Sequence, residues 1–407
     1  MPYVSPPVPR EAAASATAQA AYLLEDGFAE APEGALADKL ATGKPLRVKF
    51  GVDPTAPAVT WGWAVPLRRL RRFQELGHTA VLVIGDFTAQ VGDPSGRSAT
   101  RVRLSADQVE AYIAGCMDNL LEILSPDNLE VRRNSEWLGA LGPSEMLDLT
   151  SSVTVAQLLE RHDFANRFKA QEPISVTEFM YPLLQGQDSV AVRADVELGG
   201  TDQHFNLMLA RHLQQRAGQE PQACVTAPLL VGTDGSLKMS QSYGNYIGVS
   251  EPPREIYGKA MSIPDAALLE YLNLATDLRP AEKRRLADDL LRTEPMRLKR
   301  LVAREMVAMF HGREAADEAE AHFDRVFVRR EAPADIPTVE TSTGSLPRLL
   351  VELGWAKSLS EARRHITGRG VQIDDEVVES EQAELTPGTY VVRFGRRRYA
   401  RVRVRPA

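Results

Sequence analysis

The first half of the chain moves between two rhythms: short unbroken apolar runs, and apolar residues recurring at helical spacing. Val48 to Val52 is a run that reads as a buried strand, and Val65, Leu67, Leu70 and Phe73 line a helix from Trp63 to Leu76. A turn rich in Asp, Pro and Thr joins the two. A second apolar strand, Ala80 to Ile84, leads into a Gly- and Asp-rich loop over 85–98. Ser105, with Gln108 three residues on, caps a helix to Leu124, and a strand from Leu129 to Arg132 enters Asn134-Ser135-Glu136-Trp137. From about 144 to 220 the helical period dominates, with Val190 to Val196 between two helices ahead of Gly199-Gly200. A third apolar strand, Ala227 to Val231, ends in the turn Gly232-Thr233-Asp234-Gly235, which delivers Lys238. Before all of this lies a helical lead-in: an Ala-rich helix, Glu11 to Leu24, and a second piece around Leu36 and Leu40.

Alternation of this kind predicts an α/β fold with a Rossmann-type parallel sheet, helices on its faces and ligands beyond the carboxyl ends of its strands. The turn after Val52 is a phosphate site by construction, because free N–H groups and the positive end of the helix dipole point outward there. One such turn identifies nothing by itself. Residues 251–327 read as helical, with charged runs such as Arg279 to Arg292 forming solvated faces. Ala332 to Thr343, with Pro333 and Pro337 and no clear period, reads as a linker. The expected domains are therefore 1–250, 251–331, a linker over 332–343, and 344–407.

Composition narrows the classes. The 407 residues are 43% hydrophobic and 25% charged, which is ordinary for a soluble protein, and the net charge of −7 argues against a chain that coats nucleic acid throughout. The last segment differs: Gly344 to Ala407 holds twelve Lys or Arg against eight Asp or Glu, a balance of +4. Cys116 and Cys224 sit among apolar residues and read as buried free thiols. No apolar run reaches membrane-spanning length and the N-terminus is unlike a signal peptide, so a cytoplasmic protein is expected. No metal-ligand set is assigned.

Four stretches together narrow the function: Arg47 to Trp63; Gly85-Asp86-Phe87-Thr88-Ala89-Gln90-Val91-Gly92-Asp93-Pro94-Ser95-Gly96-Arg97; Gly199-Gly200-Thr201-Asp202-Gln203; and Leu237-Lys238-Met239-Ser240-Gln241-Ser242. Over nearly its whole length the chain resembles the bacterial tyrosyl-tRNA synthetases of the class I aminoacyl-tRNA synthetase family. Both signatures of that family are altered. Thr60-Trp61-Gly62-Trp63 stands where the family carries His-x-Gly-His, and Gln241 replaces the second lysine of Lys-Met-Ser-Lys-Ser.

The resemblance implies a tyrosine site in which Asp188 accepts from the phenol hydroxyl, Tyr181, Gln185 and Asp93 hold the α-ammonium, and Asn134 steadies them. Tyr181, Gln185 and Asp188 also stand at i, i+4 and i+7, so one helix face carries all three. It further implies ATP with Mg2+ as substrate, held by Asp53, Thr55, Gly62, Gly200, Asp202, Gln203 and Lys238, with Thr60, Lys238 and Gln241 in the catalytic positions. Gln187 stands where the family usually has an aromatic residue. The tail resembles an S4-type RNA-binding domain, in which Arg363, Arg364 and Arg369 would meet tRNA(Tyr) and Arg396, Arg397, Arg398, Arg401, Arg403 and Arg405 would add a basic strand pair. Arginines alternating along a solvent-facing strand would look the same with no partner. A helical anticodon-binding-type domain over 251–331 and a homodimer through about 112–220 are also implied.

Three readings stay open: a tyrosine–tRNA ligase with substituted signatures, a paralogue that keeps tyrosine and RNA binding with impaired or altered adenylation, and an RNA-binding protein whose large domain is a scaffold. A retained tyrosine pocket counts against the third.

Overall fold

The structure is a computed structural model that describes residues 3–94, 104–328, 336–374, 376–395 and 398–405. Ser95, Gly96, Arg97, Arg396, Arg397 and residues 332–335 of the expected linker lie outside these ranges. The chain divides into two compact units, Met1–Ala316 and Asp317–Ala407.

The first unit holds the strands β1 (Ala29–Ala31), β2 (Arg47–Val52), β3 (Thr79–Ile84), β4 (Leu129–Arg133), β5 (Val196–Gly200) and β6 (Ala223–Ala227). They form one sheet in the order β1-β6-β5-β2-β3-β4, with every neighbour parallel except the edge pair β1 and β6. Ala80 to Ile84 of β3 are all buried, as a parallel strand covered by helices on both faces requires. The chain builds outward from β2 through β3 to β4, then returns across the helix Val176–Val192 to lay β5 on the other side of β2. The strand order reverses at β2 and β5, so their carboxyl ends splay open into a crevice.

Several boundaries differ from expectation for identifiable reasons. The strand expected over Ala227 to Val231 lies earlier, at Ala223–Ala227, because Pro228 has no N–H to continue the ladder. Val231 makes only an isolated bridge with Lys238. The helix expected from Trp63 begins at Trp61, and the lead-in helix is shorter, Ala16–Leu23, with Ser15 accepting from the Ala18 N–H at its cap. Ser105 and Gln108 form the expected reciprocal cap on the helix Ala106–Ile123. Val190 and Val192 belong to the helix Val176–Val192.

In the second unit a sheet is built from β7 (Thr338–Thr341), β8 (Val371–Ile373), β9 (Glu376–Val377), β10 (Gly388–Phe394) and β11 (Arg398–Val404), in the order β7-β11-β10-β8-β9. Helices Leu346–Glu352 and Leu359–Thr367 cover it, and Leu346, Leu349, Leu350, Ile366, Val392 and Val402 form its core. Thr338–Thr341, inside the expected linker, is instead a strand parallel to β11. Arg401, Arg403 and Arg405 are exposed while Val402 and Val404 point inward, the period-two pattern of a half-buried strand.

One correction concerns the charged run from Arg279 to Arg292. Lys283 is buried and its Nζ donates to Asp26 Oδ1 at 2.8 Å. Asp26 Oδ2 also faces the guanidinium groups of Arg69 at 3.3 Å and Arg72 at 3.8 Å, both from the helix Trp61–Glu75. Burial, with Arg72 alongside, pushes the Arg69 guanidinium down to about 9. A carboxylate shared by three buried cations cannot be removed without leaving charge uncompensated. Asp26→Asn, which keeps shape and tolerates the left-handed backbone at this position (φ 62°), is expected to lower stability by about 3 kcal/mol or more, read as a reduced urea midpoint for the first unfolding transition.

Candidate active site

Beyond the carboxyl ends of the strands lies a cleft of about 250 Å³. The loop after β2 contributes Asp53, whose Oδ1 accepts from Thr88 Oγ1 at 2.7 Å and whose Oδ2 accepts from Tyr181 OH at 2.8 Å. Gly85, at the end of β3, makes this possible: a Cβ there would lie 2.0 Å from Asp53 Oδ1 and 2.4 Å from Thr88 Oγ1.

At one end, the helix Val176–Val192 turns Tyr181, Gln185 and Asp188 into the cleft together. Both oxygens of Asp188 are held, Oδ1 by Trp137 Nε1 at 2.8 Å and Oδ2 by Asn134 Nδ2 at 3.2 Å. Asn134 also reaches Thr88 Oγ1 at 2.9 Å, which ties the Asp188 cluster to Asp53. Gln185 Oε1 accepts from Asn206 Nδ2 at 2.8 Å, and the same amide reaches Gln203 Oε1 at 2.9 Å. Gln203 Nε2 donates to Asp93 Oδ2 at 3.0 Å, and Arg161 lies 3.7 Å from the other Asp93 oxygen. The five residues expected at a tyrosine thus fall into two hydrogen-bonded groups around one cleft, Asp188, Asn134 and Tyr181 joined through Thr88 and Asp53, and Gln185 and Asp93 joined through Asn206 and Gln203, with Asn134 behind the cleft wall and the other four on it.

At the other end, Thr55, Thr60, Gly62, Gly200, Asp202, Gln203, Lys238 and Gln241 line the same cleft. Lys238 Nζ pairs with Asp202 Oδ2 at 2.6 Å. A Cβ on Gly200 would meet Asp202 Oδ1 at 2.5 Å and Leu229 at 2.8 Å, so close approach requires glycine there. The segments around Trp61 and Met239 are seated by backbone bonds: Trp61 N–H donates to Ile247 O at 2.9 Å, and Met239 N–H to Leu230 O at 2.8 Å. Gln241 Nε2 donates to Ala58 O, which spends its amide within the protein. Trp61 and Trp63 part company. Trp61 is fully buried, edge-on to Phe310 with centroids 5.4 Å apart, whereas Trp63 lines the cleft.

A family model described as tRNA synthetases class I (W and Y) matches residues 41–328. The chain belongs to this family. A tyrosine–tRNA ligase of Moorella thermoacetica is 47% identical over 390 residues, covering 93% of this chain and 94% of that protein. One of Thermotoga maritima is 46% identical over 377 residues, covering 91% and 93%. Among solved structures, an Archaeoglobus fulgidus tyrosyl-tRNA synthetase complexed with L-tyrosine superposes with a TM-score of 0.60 at 22% identity, over 75% of this chain and 99% of that one. At that identity the likeness is one of fold. It agrees with the doubly wound sheet of the first unit.

Seen as a class I synthetase (W and Y), the chain has polar groups that sequence reasoning passed over. Trp137 and Thr88 lie inside stretches singled out for other residues, and Arg161 and Asn206 carry no local signal because their partners come from distant segments. Lys49 had a signal, a lone cation within the apolar run of β2. In the second unit Arg363 and Arg364, on the helix Leu359–Thr367, and Arg369 just after it are exposed; Arg369 sits 3.3 Å from Glu379.

Burial pushes the Asp188 carboxyl up from its ordinary 3.8 to about 7, against the opposing pull of Lys49 and of its Trp137 and Asn134 donors. A carboxyl raised in the folded state binds protons that the unfolded chain has released, so it costs stability as pH rises from about 3.8 to 7 and adds no further slope above that. Ligand-free protein is therefore expected to lose thermal stability across this window, and Asp188→Asn to flatten that part of the profile when the two are melted side by side.

Proposed function

We propose that the chain is a tyrosine–tRNA ligase that activates L-tyrosine with ATP and transfers it to tRNA(Tyr). The observation that carries this reading is the single helix face of Tyr181, Gln185 and Asp188 at the β2–β5 crevice, with Asp188 buried and aimed into it. A buried acceptor of this kind favours a ligand with a hydroxyl at that depth, because phenylalanine would leave it with one fewer donor. Tyr181, Gln185 and Asp93 supply acceptors for the α-ammonium at the opposite end. Names borne by relatives of 44–48% identity point the same way.

In activation the tyrosine carboxylate attacks the α-phosphate of ATP in line, a bond to pyrophosphate breaks, and tyrosyl-adenylate forms; a ribose hydroxyl of the tRNA end then attacks the tyrosyl carbonyl and releases AMP. The protein's part is positioning, with Lys238 as cation for the phosphates and glycine at positions 62 and 200 allowing close backbone approach. Mg2+ would arrive with the nucleotide: among the described residues no cluster of acidic, His or Cys ligands could cage a metal, and Mg2+ is commonly held by substrate phosphates and water.

A second reading concerns rate, and the altered signatures favour it. Thr60, Trp63 and Gln241 occupy the nucleotide end, where each missing donor or cation costs on the order of 3 kcal/mol of transition-state stabilisation. Tyrosine binding is then normal and adenylation slow. Calorimetry is expected to show tyrosine binding that Asp188→Ala abolishes, and tyrosine-dependent ATP–pyrophosphate exchange to run far below a typical 10 or so per second. Thr60→His, Trp63→His and Gln241→Lys together should raise exchange by several decades. An ordinary exchange rate in the unmodified protein refutes the slow reading; equal affinity for tyrosine and phenylalanine refutes the ligase.

Residues 251–331 as an anticodon-binding-type domain and 344–407 as an S4-like RNA domain complete the proposal. Changing Arg363, Arg364 and Arg369 to Glu in the full chain is expected to weaken tRNA binding and to flatten its salt dependence by roughly 0.7 per lost phosphate contact, with tyrosine affinity unchanged. A homodimer through 112–220 is supported by the exposure of Leu147, Phe168 and Val176 at 71%, 64% and 77%; light scattering that returns a monomer mass removes it. Buried free Cys116 and Cys224 and the need for ATP and tRNA fit a cytoplasmic setting.

A further inference from the structure

Behind the wall that carries Tyr181, Gln185 and Asp188 lies a lysine that the reaction, as set out above, does not use. Lys49 is fully buried in β2, and its three N–H donors are all occupied: by Gln185 O at 3.1 Å, Ser189 Oγ at 2.9 Å and Glu197 Oε1 at 2.8 Å. Two of those acceptors belong to the helix Val176–Val192 and flank Asp188 in sequence; the third is on β5. Glu197 is held in turn by Ser189 Oγ–H at 2.8 Å and by the Gln222 side-chain amide. We propose that Lys49 is a specificity-determining positioning residue: by pinning the Gln185–Ser189 turn from behind, it fixes the depth of Asp188 and supplies the positive charge that keeps this carboxylate an acceptor for a tyrosine hydroxyl.

The charges around Asp188 leave this task to Lys49. Asp53, which opposes ionisation of Asp188, comes from the loop after β2, and Glu197 stands behind Lys49 on β5. Tyr181, on the same helix, directs its hydroxyl to Asp53. The β4 side offers the neutral donors Trp137 and Asn134, while Asp86 is engaged with Ser135. Lys49 is the largest single influence drawing the Asp188 proton off against burial. A lysine in an apolar strand is costly to bury, and its pairing with Glu197 is by itself weak evidence of added stability. The geometry gives it a further use: its field acts on the one carboxylate that reads the ligand.

The inference rests on the tyrosine reading of the cleft, and two measurements keep the two ideas apart. Trp137 Nε1 is bonded to Asp188 Oδ1, so its indole reports the ionisation of Asp188 with no ligand present. The chain has four tryptophans, few enough for 5-fluorotryptophan labelling and 19F NMR, with Trp137→Phe assigning the signal. Lys49→Met is expected to raise the midpoint of the Trp137 titration by on the order of one pH unit, since a nearby cation is lost. Lys49→Met with Glu197→Gln removes both charges and leaves neither buried alone, so it guards against misfolding of the single variant; its midpoint should move the same way. In calorimetry at pH 7 the preference for tyrosine over phenylalanine should fall about tenfold in both variants and return as pH is raised. An unmoved midpoint, or a uniform loss of affinity for both amino acids at every pH, overturns the proposal and reduces Lys49 to a packing role. A midpoint that moves in a protein that does not distinguish tyrosine from phenylalanine overturns the tyrosine reading and the specificity claim with it.

Discussion

The pairing of β5 with β2 is the constraint on which the cleft depends. In that parallel register Val48 faces Val196, Lys49 faces Glu197 and Phe50 faces Leu198. Side chains on a strand alternate between faces, so a slip of one residue would turn Lys49 and Glu197 to opposite sides and bury two unpaired charges. The ion pair therefore acts as a register check as well as a contact. With the register set, Gly200 and Asp202 emerge from β5 opposite Asp53 and Thr55 from β2, and the helix ahead of β5 is held by the same lysine. Both ends of the cleft inherit their spacing from one strand pair.

Much of this was legible in the sequence because it is local. Apolar runs gave β2, β3 and β4 to within a residue or so, and the Ser105–Gln108 cap is the reciprocal one expected. The i, i+4, i+7 spacing was enough to bring Tyr181, Gln185 and Asp188 to one face. What escaped depends on partners distant in sequence. Ala227 to Val231 has the composition of a strand, yet the preceding segment takes the place beside β5 because Pro228 cannot donate. Thr338–Thr341 looks like linker until β11 pairs with it. Lys283 stands in a run that is charged on every side, and only the half-buried Asp26, distant in sequence, distinguishes it from its neighbours. Arg161 and Asn206 join Gln185 through side-chain bonds that no window of sequence contains.

The end of the cleft lined by Thr60, Gly62 and Lys238 separates frame from side chain. Thr60 bridges Gly248, Trp61 N–H bonds Ile247 O, and Val231 bridges Lys238, so the two signature segments are located by main-chain bonds that any side chain permits. Changing the side chains of these two segments leaves this frame in place. The Gly62 position has only ordinary contacts from Thr60 and Met239 around it, so the turn is not crowded by the changes beside it. A fold whose scaffold is independent of its reactive side chains can change its rate without changing its shape, which is why family membership and turnover are separate questions here.

The tie between Asp26 and Lys283 spans 257 positions of sequence. During synthesis the chain emerges from its N-terminus, so Asp26 and the arginines of the Trp61–Glu75 helix are all made long before Lys283 exists. Contacts of such high sequence separation form late, since a long loop must close before they are made. Until then the lead-in segment has two arginines for company and lacks the cation that completes its buried cluster, so the first unit gains its final lock only when the helical region after residue 280 has left the ribosome. The order of translation thus makes this ion cluster one of the last contacts to become available to the unit that holds the cleft.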